Sequence, residues 1–471
     1  MARLFGTDGV RGVANGDLSP LLAFRLGRAA GAMVAERHGR EGRSGRPWVL
    51  VGCDTRVSRG MLEAAVTAGF TSSGVDVVQV GIVPTPGLSF LTAEAGADMG
   101  VMISASHNPV EDNGIKFFGT DGQKLPDEAE LALESMVEEM ARQDRFPSPT
   151  GLAVGRVRDE PALVGRYEEH LARRGPSLQG MRVVVDCANG AAYALAPRLL
   201  RRLGADVVAI HTGSGGEDIN VNCGSTHPHV VARAVREYGA AVGLALDGDA
   251  DRCIAVDEQG EVVDGDVILA ICALPRLRAG TLPGRAVAAT VYSNGGLELA
   301  LAREGGRLVR TAPGDRQVLA AMREHRLVLG GEQSGHIIFL EHASTGDGLL
   351  TGLMLLAEMR SAGVPLSQLR AQVPRLPQVL RSVRVADRRA VMEHPALAEA
   401  IEAARQELGE AGRVYVRPSG TEPVVRVMVE GVDPQAVQRW ADHIASTVAR
   451  VGGAAGGTAG GPEGGGSAGA P

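Results

Sequence analysis

The sequence has almost no lysine. Only two of its 48 basic residues are lysines, Lys116 and Lys124, and all the others are arginines. A lysine carries a compact ammonium that can release its proton, whereas the planar guanidinium of arginine does not. Both lysines follow the polar motif SASHNP closely. The pair therefore indicates a place where an ammonium has a chemical task, with chance clustering as the competing explanation.

Other features are also absent, and each absence excludes a class of protein. With 48 basic and 55 acidic side chains the net charge is −7, so the composition does not predict a broad positive surface for binding nucleic acid or anionic lipid. No stretch reaches the ~18 apolar residues of a membrane span, and MARLFGTDGVRG lacks the apolar core of a signal peptide. The five cysteines are scattered without a C-x-x-C pair, which argues against disulfides and zinc. We expect a cytoplasmic enzyme that acts on a small molecule and binds neither nucleic acid nor membrane.

A strand–helix–strand unit occurs three times in the 471 residues, a length that suits about three or four domains. The units begin at WVLVGCD (48–54), MRVVVDCANG (181–190) and AVAATVYSNG (286–295). Each continues through a helical pattern and a glycine to a second apolar run, as parallel sheets covered by helices do. The units predict three similar α/β domains with parallel or mixed sheets.

The pattern changes near Arg381. A β-like run, a helix over 395–410, the segment VYVRPSGTEPVVRVMVEG and a last helix near 434–450 predict a smaller α+β domain. Everything after Val451 is rich in Gly and Ala and has almost nothing to bury, so we expect it to be disordered.

A polar loop follows the third apolar run of each unit. SHNP follows DMGVMISA, DGDADR follows AVGLAL and GEQSGH follows RLVLG. Ligands of open α/β sheets gather at the carboxyl ends of the strands. The alternative is that these are ordinary polar turns, since any strand ends in turn residues. That alternative accounts for one such loop easily, but poorly for three loops that each carry several reactive side chains.

The loop DGDADR places Asp247, Asp249 and Asp251 at alternate positions, where their carboxylates can point at one centre. Such anions repel one another unless a cation lies between them, and hard oxygen ligands favour Mg²⁺. A calcium-binding hand is one alternative, but its sixth loop position needs glycine and is Arg252 here. A solvated acidic turn without metal is the other.

Two further motifs suit a sugar phosphate. GEQSGH offers Glu332 and Ser334 for sugar hydroxyls, and His336 as a group that titrates near neutral pH, although a lone histidine there is more often structural. RPSGT combines Arg417 with hydroxyls and a glycine, which suits phosphate oxygens unless it is only a polar turn. With a serine, a Mg²⁺ site and a titratable lysine, these motifs predict phosphoryl transfer on a sugar.

Six motifs in this order, LFGTDGVRG, SASHNP, DNGIKFF, DGDADR, GEQSGH and RPSGTEP, closely resemble those of the bacterial phosphoglucosamine mutases in the α-D-phosphohexomutase superfamily. The resemblance runs from about residue 3 to about 450 and leaves out the tail. It implies four domains around a central cleft: a phosphoserine-loop domain (1–157), a metal-binding domain (158–258), a sugar-binding domain (259–373) and a phosphate-binding domain (374–451), with 452–471 as the tail. It also implies a monomer or homodimer that interconverts glucosamine 6-phosphate and glucosamine 1-phosphate, toward UDP-N-acetylglucosamine.

The resemblance implies a role for each motif residue. Ser106 would carry the phosphoryl group, and one of its oxygens would bind a single Mg²⁺ together with the three aspartates. Lys116 and Arg11 would lie beside it, and Lys116 and His336 are the candidates for proton transfer. The residues that would hold the sugar hydroxyls and the non-reacting phosphate are Glu332, Ser334, Arg417, Ser419, Gly420, Thr421 and Arg426. Glucosamine 1,6-bisphosphate would be the activating intermediate, reorienting so that its second phosphate meets the serine.

Two alternatives stay open. Within the superfamily the chain could be a phosphomannomutase or phosphoglucomutase, although Ala250 and Gln333 differ from the DGDGDR and GEMSGH that such relatives more often resemble. From another class, it could be a sugar-phosphate sensor without catalysis, against which the intact Ser106, Lys116 and aspartates count. Two segments, CDTR (53–56) and APGDR (312–316), depart from the family pattern without touching a residue that has an implied role.

Overall fold

The computed structural model describes residues 4–6, 8–143, 148–409, 412–419 and 423–453. Within these residues the strands form four sheets, of six, five, four and three strands. Each of the first three sheets is built by one repeated unit and the fourth by the C-terminal region. The prediction of three similar α/β domains and a smaller α+β domain is confirmed. Of the predicted disordered tail (452–471), residues 454–471 lie outside the described residues, as do Gly420 and Thr421.

The first domain is a mixed sheet covered by helices. Its elements are β1 (Val10–Val13), α1 (Pro20–Arg40), β2 (Trp48–Cys53), α2 (Arg59–Ser72), β3 (Asp76–Ile82), α3 (Thr85–Glu94), β4 (Met99–Ile103), β5 (Asp112–Phe118), α4 (Asp127–Gln143) and β6 (Val157–Asp159). The strand order is β1-β5-β4-β2-β3-β6. Strands β4, β2, β3 and β6 are parallel, whereas β5 is antiparallel to both of its neighbours.

The second and third domains repeat this plan. After α5 (Val164–Ala172), the second domain has β7 (Arg182–Asp186), α6 (Leu195–Arg202), β8 (Asp206–Ile210), α7 (Pro228–Tyr238), β9 (Val242–Leu246), β10 (Cys253–Asp257) and β11 (Val262–Val263). The third has α8 (Gly265–Arg278), β12 (Ala286–Thr290), α9 (Gly295–Arg303), β13 (Arg307–Thr311), α10 (Asp315–Glu324), β14 (Leu329–Gly331), β15 (Ile337–Phe339), α11 (Gly348–Ala362) and α12 (Leu366–Arg370). The sheet orders are β11-β10-β9-β7-β8 and β13-β12-β14-β15. The first sheet ends at Asp159 and the second at Val263, near the boundaries expected at 157 and 258.

The fourth domain is an antiparallel sheet with helices. It comprises β16 (Gln378–Arg384), α13 (Arg388–Met392), α14 (Pro395–Leu408), β17 (Arg413–Pro418), β18 (Val424–Glu430) and α15 (Pro434–Val451), in the sheet order β16-β18-β17. None of the described helices combines the length and the apolar character that crossing a bilayer requires.

The three polar loops occupy equivalent places. In each of the first three sheets a parallel strand ends, the polar loop turns the chain, and an antiparallel strand returns beside it: β4 to β5, β9 to β10, and β14 to β15. The loops therefore lie at the carboxyl ends of parallel strands, as the sequence predicts. The sequence repeat does not show the position of Lys116. The antiparallel strand β5 places Lys116 beside β4, the strand that leads to Ser106.

Burial explains why these loops meet. One apolar cluster runs through the first three domains, from Leu50 through Leu244 to Leu355, whereas the fourth domain has its own cluster around Val427. Burying this much apolar surface is the main stabilising contribution to a fold, so the first three domains form one body. The fourth domain is joined to the third through polar contacts, in which the buried Glu430 accepts hydrogen bonds from the Gly295 N–H.

Candidate active site

Ser106 lies in the turn between β4 and β5 with a φ of 54°, in the left-handed region. Its side chain is buried, and Oγ donates a hydrogen bond to Asp247 Oδ2 at 2.6 Å. The His107 Nδ1 atom lies 3.3 Å from the same Oγ. A Cβ at Gly248 would come within 2.5 Å of the Ser106 carbonyl oxygen, so DGDADR can approach this closely only with glycine there. The structure thus joins the serine motif of the first domain to the aspartate motif of the second.

The three aspartates converge as the sequence predicts. One carboxylate oxygen from each of Asp247, Asp249 and Asp251 lies within 4.8 Å of the others, and all three side chains are buried. Burial and the charges of its two neighbours raise the pKa of Asp247 well above its ordinary value. Oδ1 of Asp249 and Oδ1 of Asp251 are buried without a hydrogen-bond partner. Orphaned buried oxygens around a repelling cluster fit a divalent cation, which would satisfy both.

Lys116 occupies the middle of a buried ion network. Its Nζ lies 2.8 Å from Asp249 Oδ2 and 2.9 Å from Asp8 Oδ2. Burial alone would lower the pKa of Lys116, but these two carboxylates raise it above its ordinary value. Asp8 also pairs with Arg11 and Lys124. Arg11 donates at 3.3 Å to Asn108 Oδ1 in the serine loop, by which we mean residues 104–112 between β4 and the start of β5. Arg11 and Lys116 thus flank the serine loop and the aspartate cluster respectively.

His336, in the loop between β14 and β15 of the third domain, lies between Asp251 of the aspartate cluster and Asp315. Its Nδ1 is 3.5 Å from Asp251 Oδ2, and its Nε2 is 3.9 Å from Asp315 Oδ2. Burial would lower the pKa of His336, but Asp251 and Asp315 raise it to about 9. The Gly346 N–H donates to Nε2 at 3.1 Å, which requires an unprotonated nitrogen and so opposes that charge. Lys124 pairs with Asp315, so the second lysine joins the first domain to the third.

Glu332 and Ser334 lie side by side, and both are partly exposed. The Ser334 hydroxyl donates to Glu332 Oε2 at 3.3 Å, and the Gly314 N–H donates to Glu332 Oε1 at 3.1 Å. These bonds fix the carboxylate while leaving acceptor capacity for a ligand. The pair is therefore available for sugar hydroxyls.

Two arginines of the fourth domain lie where the sequence predicts a phosphate site. Arg417 and Arg426 stand directly opposite each other on β17 and β18. Like charges opposite each other destabilise a sheet, whereas an anion between them reverses the sign of the interaction. Ser419 is buried and its N–H donates to the Val424 carbonyl at 2.8 Å. Of the predicted phosphate residues, Gly420 and Thr421 lie outside the described residues.

Tyr292, in the third domain, has no role in the sequence analysis. The Arg417 Nε donates to the Tyr292 hydroxyl at 2.7 Å, and the guanidinium carbon lies 5.5 Å from the tyrosine ring centre. This bond uses Nε and leaves the two terminal nitrogens of the guanidinium out of it. It also joins the third and fourth domains at the site itself.

Two acidic residues were missed as well. Asp8 stands in GTDGVRG three residues before Arg11, a spacing that could have suggested an ion pair. Asp315 stands in APGDR, which the sequence analysis noted only as a departure. Both also pair with Lys124, which lies more than a hundred residues from either of them, and such contacts leave no local pattern.

The comparisons with known proteins agree with this architecture. Four family models match in order: phosphoglucomutase/phosphomannomutase alpha/beta/alpha domain I (residues 2–144), domain II (166–260), domain III (264–376) and the C-terminal domain (380–447). Together they span most of the chain.

Relatives of known name match over nearly full length. The phosphoglucosamine mutase of Moorella thermoacetica is 55% identical over 439 residues, which cover 93% of this chain and 97% of its own. That of Symbiobacterium thermophilum is 53% identical over 449 residues, or 95% and 99% of the two chains. Among solved structures, a phosphoglucomutase/phosphomannomutase family protein from Burkholderia thailandensis has a TM-score of 0.80 at 26% identity and covers 96% and 98%. The chain therefore belongs to the phosphoglucomutase/phosphomannomutase family, and within it to the phosphoglucosamine mutases.

Proposed function

We propose that the chain interconverts glucosamine 6-phosphate and glucosamine 1-phosphate through a phosphoserine at Ser106. The observation that carries this proposal is the 2.6 Å hydrogen bond from Ser106 Oγ to Asp247, inside a cluster whose other two aspartates have orphaned oxygens. A serine that only folds the protein has no reason to lie against three buried carboxylates. A serine that carries a phosphoryl group does, because the cation that the carboxylates bind also offsets the phosphate charge.

The transfer balances without another reactant. The bond from phosphorus to Ser106 Oγ breaks, a bond from phosphorus to the free sugar hydroxyl forms, and the product is glucosamine 1,6-bisphosphate. The sugar hydroxyl loses one proton and Oγ gains one. Lys116 and His336 are the groups we assign to these proton movements, since both contact the aspartate cluster. Mg²⁺, when bound by the three aspartates and a phosphoserine oxygen, would supply charge neutralisation.

The second half-reaction requires the bisphosphate to reorient. Arg417 and Arg426, with Ser419, would hold whichever phosphate is not reacting, while Glu332 and Ser334 hold sugar hydroxyls. Gly420 and Thr421 complete the proposed clamp. After reorientation the other phosphate meets Ser106, and the second transfer regenerates the phosphoserine.

The test of this function is a comparison of substrates. We expect kcat/KM for glucosamine 6-phosphate to exceed that for glucose 6-phosphate and mannose 6-phosphate by about tenfold or more. The reason is charge, because the partly exposed Glu332 carboxylate accepts only neutral donors, the Gly314 N–H and the Ser334 hydroxyl, in the described hydrogen bonds and so favours a sugar with an ammonium at carbon 2. Equal or better turnover of glucose or mannose phosphate would instead favour a phosphoglucomutase or phosphomannomutase. No turnover of any of them would favour a sensor.

Metal dependence can be tested on two isosteric variants in the same cluster. In excess EDTA we expect wild-type turnover to be lost. We also expect Asp247→Asn to raise the metal-free melting temperature by about 2–4 °C, because burial and its two neighbouring carboxylates disfavour the charged form of Asp247 and the amide carries no charge. Asp249→Asn should lower it by a similar amount, because Asp249 Oδ2 accepts hydrogen bonds from Lys116 at 2.8 Å and Thr85 at 2.6 Å. Shifts of the same sign, or full turnover in EDTA, would contradict this account of the cluster.

The phosphate clamp gives a separate prediction at Tyr292. Tyr292→Phe removes the hydroxyl that accepts the Arg417 Nε–H, so the guanidinium is less well oriented for phosphate. We expect KM for the sugar phosphate to rise about 5–10-fold with kcat changed by less than about twofold. Tyr415→Phe is the control. The Tyr415 ring packs edge-on against the Tyr292 ring, with 5.7 Å between the ring centres, and no described hydrogen bond joins the Tyr415 hydroxyl to Arg417. An unchanged KM in Tyr292→Phe would show that the contact is only structural.

A further inference from the structure

Arg56 is a fully buried arginine in the loop that follows β2. It does not reach the aspartate cluster, and the sequence analysis assigned it no role. Its Nε donates to Asp54 Oδ2 at 3.1 Å, and the same carboxylate accepts the Arg56 backbone N–H through Oδ1 at 2.9 Å. A buried guanidinium with one carboxylate partner is costly to retain unless its other donors are satisfied.

The other donors all go to the serine loop. One terminal nitrogen donates to the carbonyl oxygens of Pro109 and of Asp112, the latter at 2.8 Å. The other donates to the Ser106 carbonyl oxygen at 3.1 Å and to that of Asn108 at 2.8 Å. A guanidinium has five N–H donors, so all five are used, four of them on backbone carbonyls of one turn.

That turn needs such support. A non-glycine residue at positive φ is held in a disfavoured backbone conformation, and Ser106 has a φ of 54°. Its carbonyl also accepts a hydrogen bond from Asn220 Nδ2 of the second domain at 2.8 Å. On the other side, its N–H donates to Ser104 Oγ at 3.0 Å, and Ser104 Oγ donates to Asp54 at 2.6 Å. The network therefore closes on itself around Ser106.

We propose that Arg56 is a positioning residue for phosphoryl transfer, which acts on the reaction only through the backbone of the serine loop. The planar guanidinium of Arg56 fixes four carbonyl groups of the serine loop. Ser106 Oγ therefore stays within reach of Asp247, whether or not Ser106 carries a phosphoryl group. The inference rests on the proposed function, because it takes Ser106 as the phosphoryl carrier. Planarity is the essential property, since an ammonium has the same charge but only three donors and cannot span four carbonyls.

The first experiment compares Arg56→Lys with Arg59→Lys. Arg59 begins α2 and donates to the Thr55 carbonyl at 3.2 Å, without a described bond to the serine loop. We expect Arg56→Lys to lower kcat about 30–100-fold, because a displacement of about 1 Å at a reacting atom costs up to about 10² in rate. KM should change by less than about threefold, since the phosphate clamp lies in the fourth domain. Arg59→Lys should resemble the wild type in both constants.

Asn220→Gly tests the same idea without disturbing a buried charge. Asn220 has a φ of 61°, which glycine adopts without strain, so the variant should fold while losing the bond to the Ser106 carbonyl. We expect kcat to fall about tenfold with KM unchanged, and the ³¹P resonance of the phosphoserine to shift in both variants. Thermal unfolding identifies a variant that has not folded. If Arg56→Lys does not fold, the kinetic constants of Asn220→Gly decide whether the support of the Ser106 carbonyl matters for phosphoryl transfer.

The outcomes distinguish a failure of the positioning role of Arg56 from a failure of the proposed mutase function. If the wild type transfers phosphoryl groups and the folded variants keep kcat within about threefold of Arg59→Lys, the positioning role is wrong and the proposed function stands. If kcat falls only in proportion to the folded fraction, Arg56 is merely structural. If the wild type transfers no phosphoryl group, the proposed function fails and the inference fails with it.

Discussion

Replacing Ser106 by alanine should lower mutase turnover by about 10⁴-fold or more, the range seen when a covalent nucleophile is removed from an enzyme. The substitution deletes the oxygen that donates to Asp247 at 2.6 Å and that would carry the phosphoryl group. Binding of the sugar phosphate should persist within about threefold, because the groups that we propose to hold it lie in the third and fourth domains. A loss of kcat with retained binding would show that the phosphoryl carrier has been removed, whereas an unfolded site would lose both kcat and binding.

The decisive measurement is intact-protein mass spectrometry after incubation with glucosamine 1,6-bisphosphate. The wild type should gain the mass of one phosphoryl group and Ser106→Ala should gain none. Ser104 lies two residues away on the same peptide, so the fragment masses must separate the two serines. Ser104→Ala should still accept the group, since the Ser104 hydroxyl faces Asp54 rather than the aspartate cluster. Phosphorylation on another residue, or normal turnover by Ser106→Ala, would contradict the phosphoserine mechanism.

The phosphoserine should also change the affinity for metal. It brings about −1.5 to −2 charges beside three buried carboxylates. Arg11 and Lys116 offset part of this charge, and both already contact Asp8. We therefore expect the phosphorylated protein to bind Mg²⁺ more tightly than the unphosphorylated one, and phosphoserine to be lost faster when metal is removed.

The sequence predicts the parts of this site that depend on local order. Apolar runs mark the strands and a helical pattern marks the helices of each unit, and DGDADR carries its own spacing, so the convergence of three carboxylates follows without knowledge of the fold. The antiparallel direction of β5 does not follow. It is decided by pairing with β4 and β1, which is a tertiary contact.

Arg56 and Tyr292 show what sequence reasoning misses. The donors of Arg56 go mostly to backbone carbonyls about fifty residues away, and carbonyls have no side-chain signature in a sequence. Tyr292 contacts Arg417 across a separation of 125 residues and a domain boundary. In both cases the partner is fixed by how the domains pack, and only the packed structure reveals it.

Lys116→Arg should lower kcat by about 10² or more while KM changes by less than about threefold. Lys116 is buried, and its ammonium lies between Asp249 and Asp8 at 2.8 and 2.9 Å. The longer planar guanidinium cannot occupy that position without displacing a carboxylate, and one of the two, Asp249, belongs to the aspartate cluster. Overpacking a buried site also costs about 1–3 kcal/mol, so the melting temperature should fall by a few degrees.

Lys124→Arg provides the matched control, because the only other lysine also lies between two carboxylates, Asp8 and Asp315. Neither of those belongs to the aspartate cluster, so the arrangement of the three clustered carboxylates should be preserved. We expect its kcat to fall by about tenfold or less. If Lys116→Arg kept kcat within about threefold of the wild type, the ammonium would be at most an electrostatic anchor for Asp249. Proton transfer would then fall to His336, which contacts Asp251 from the other side of the cluster.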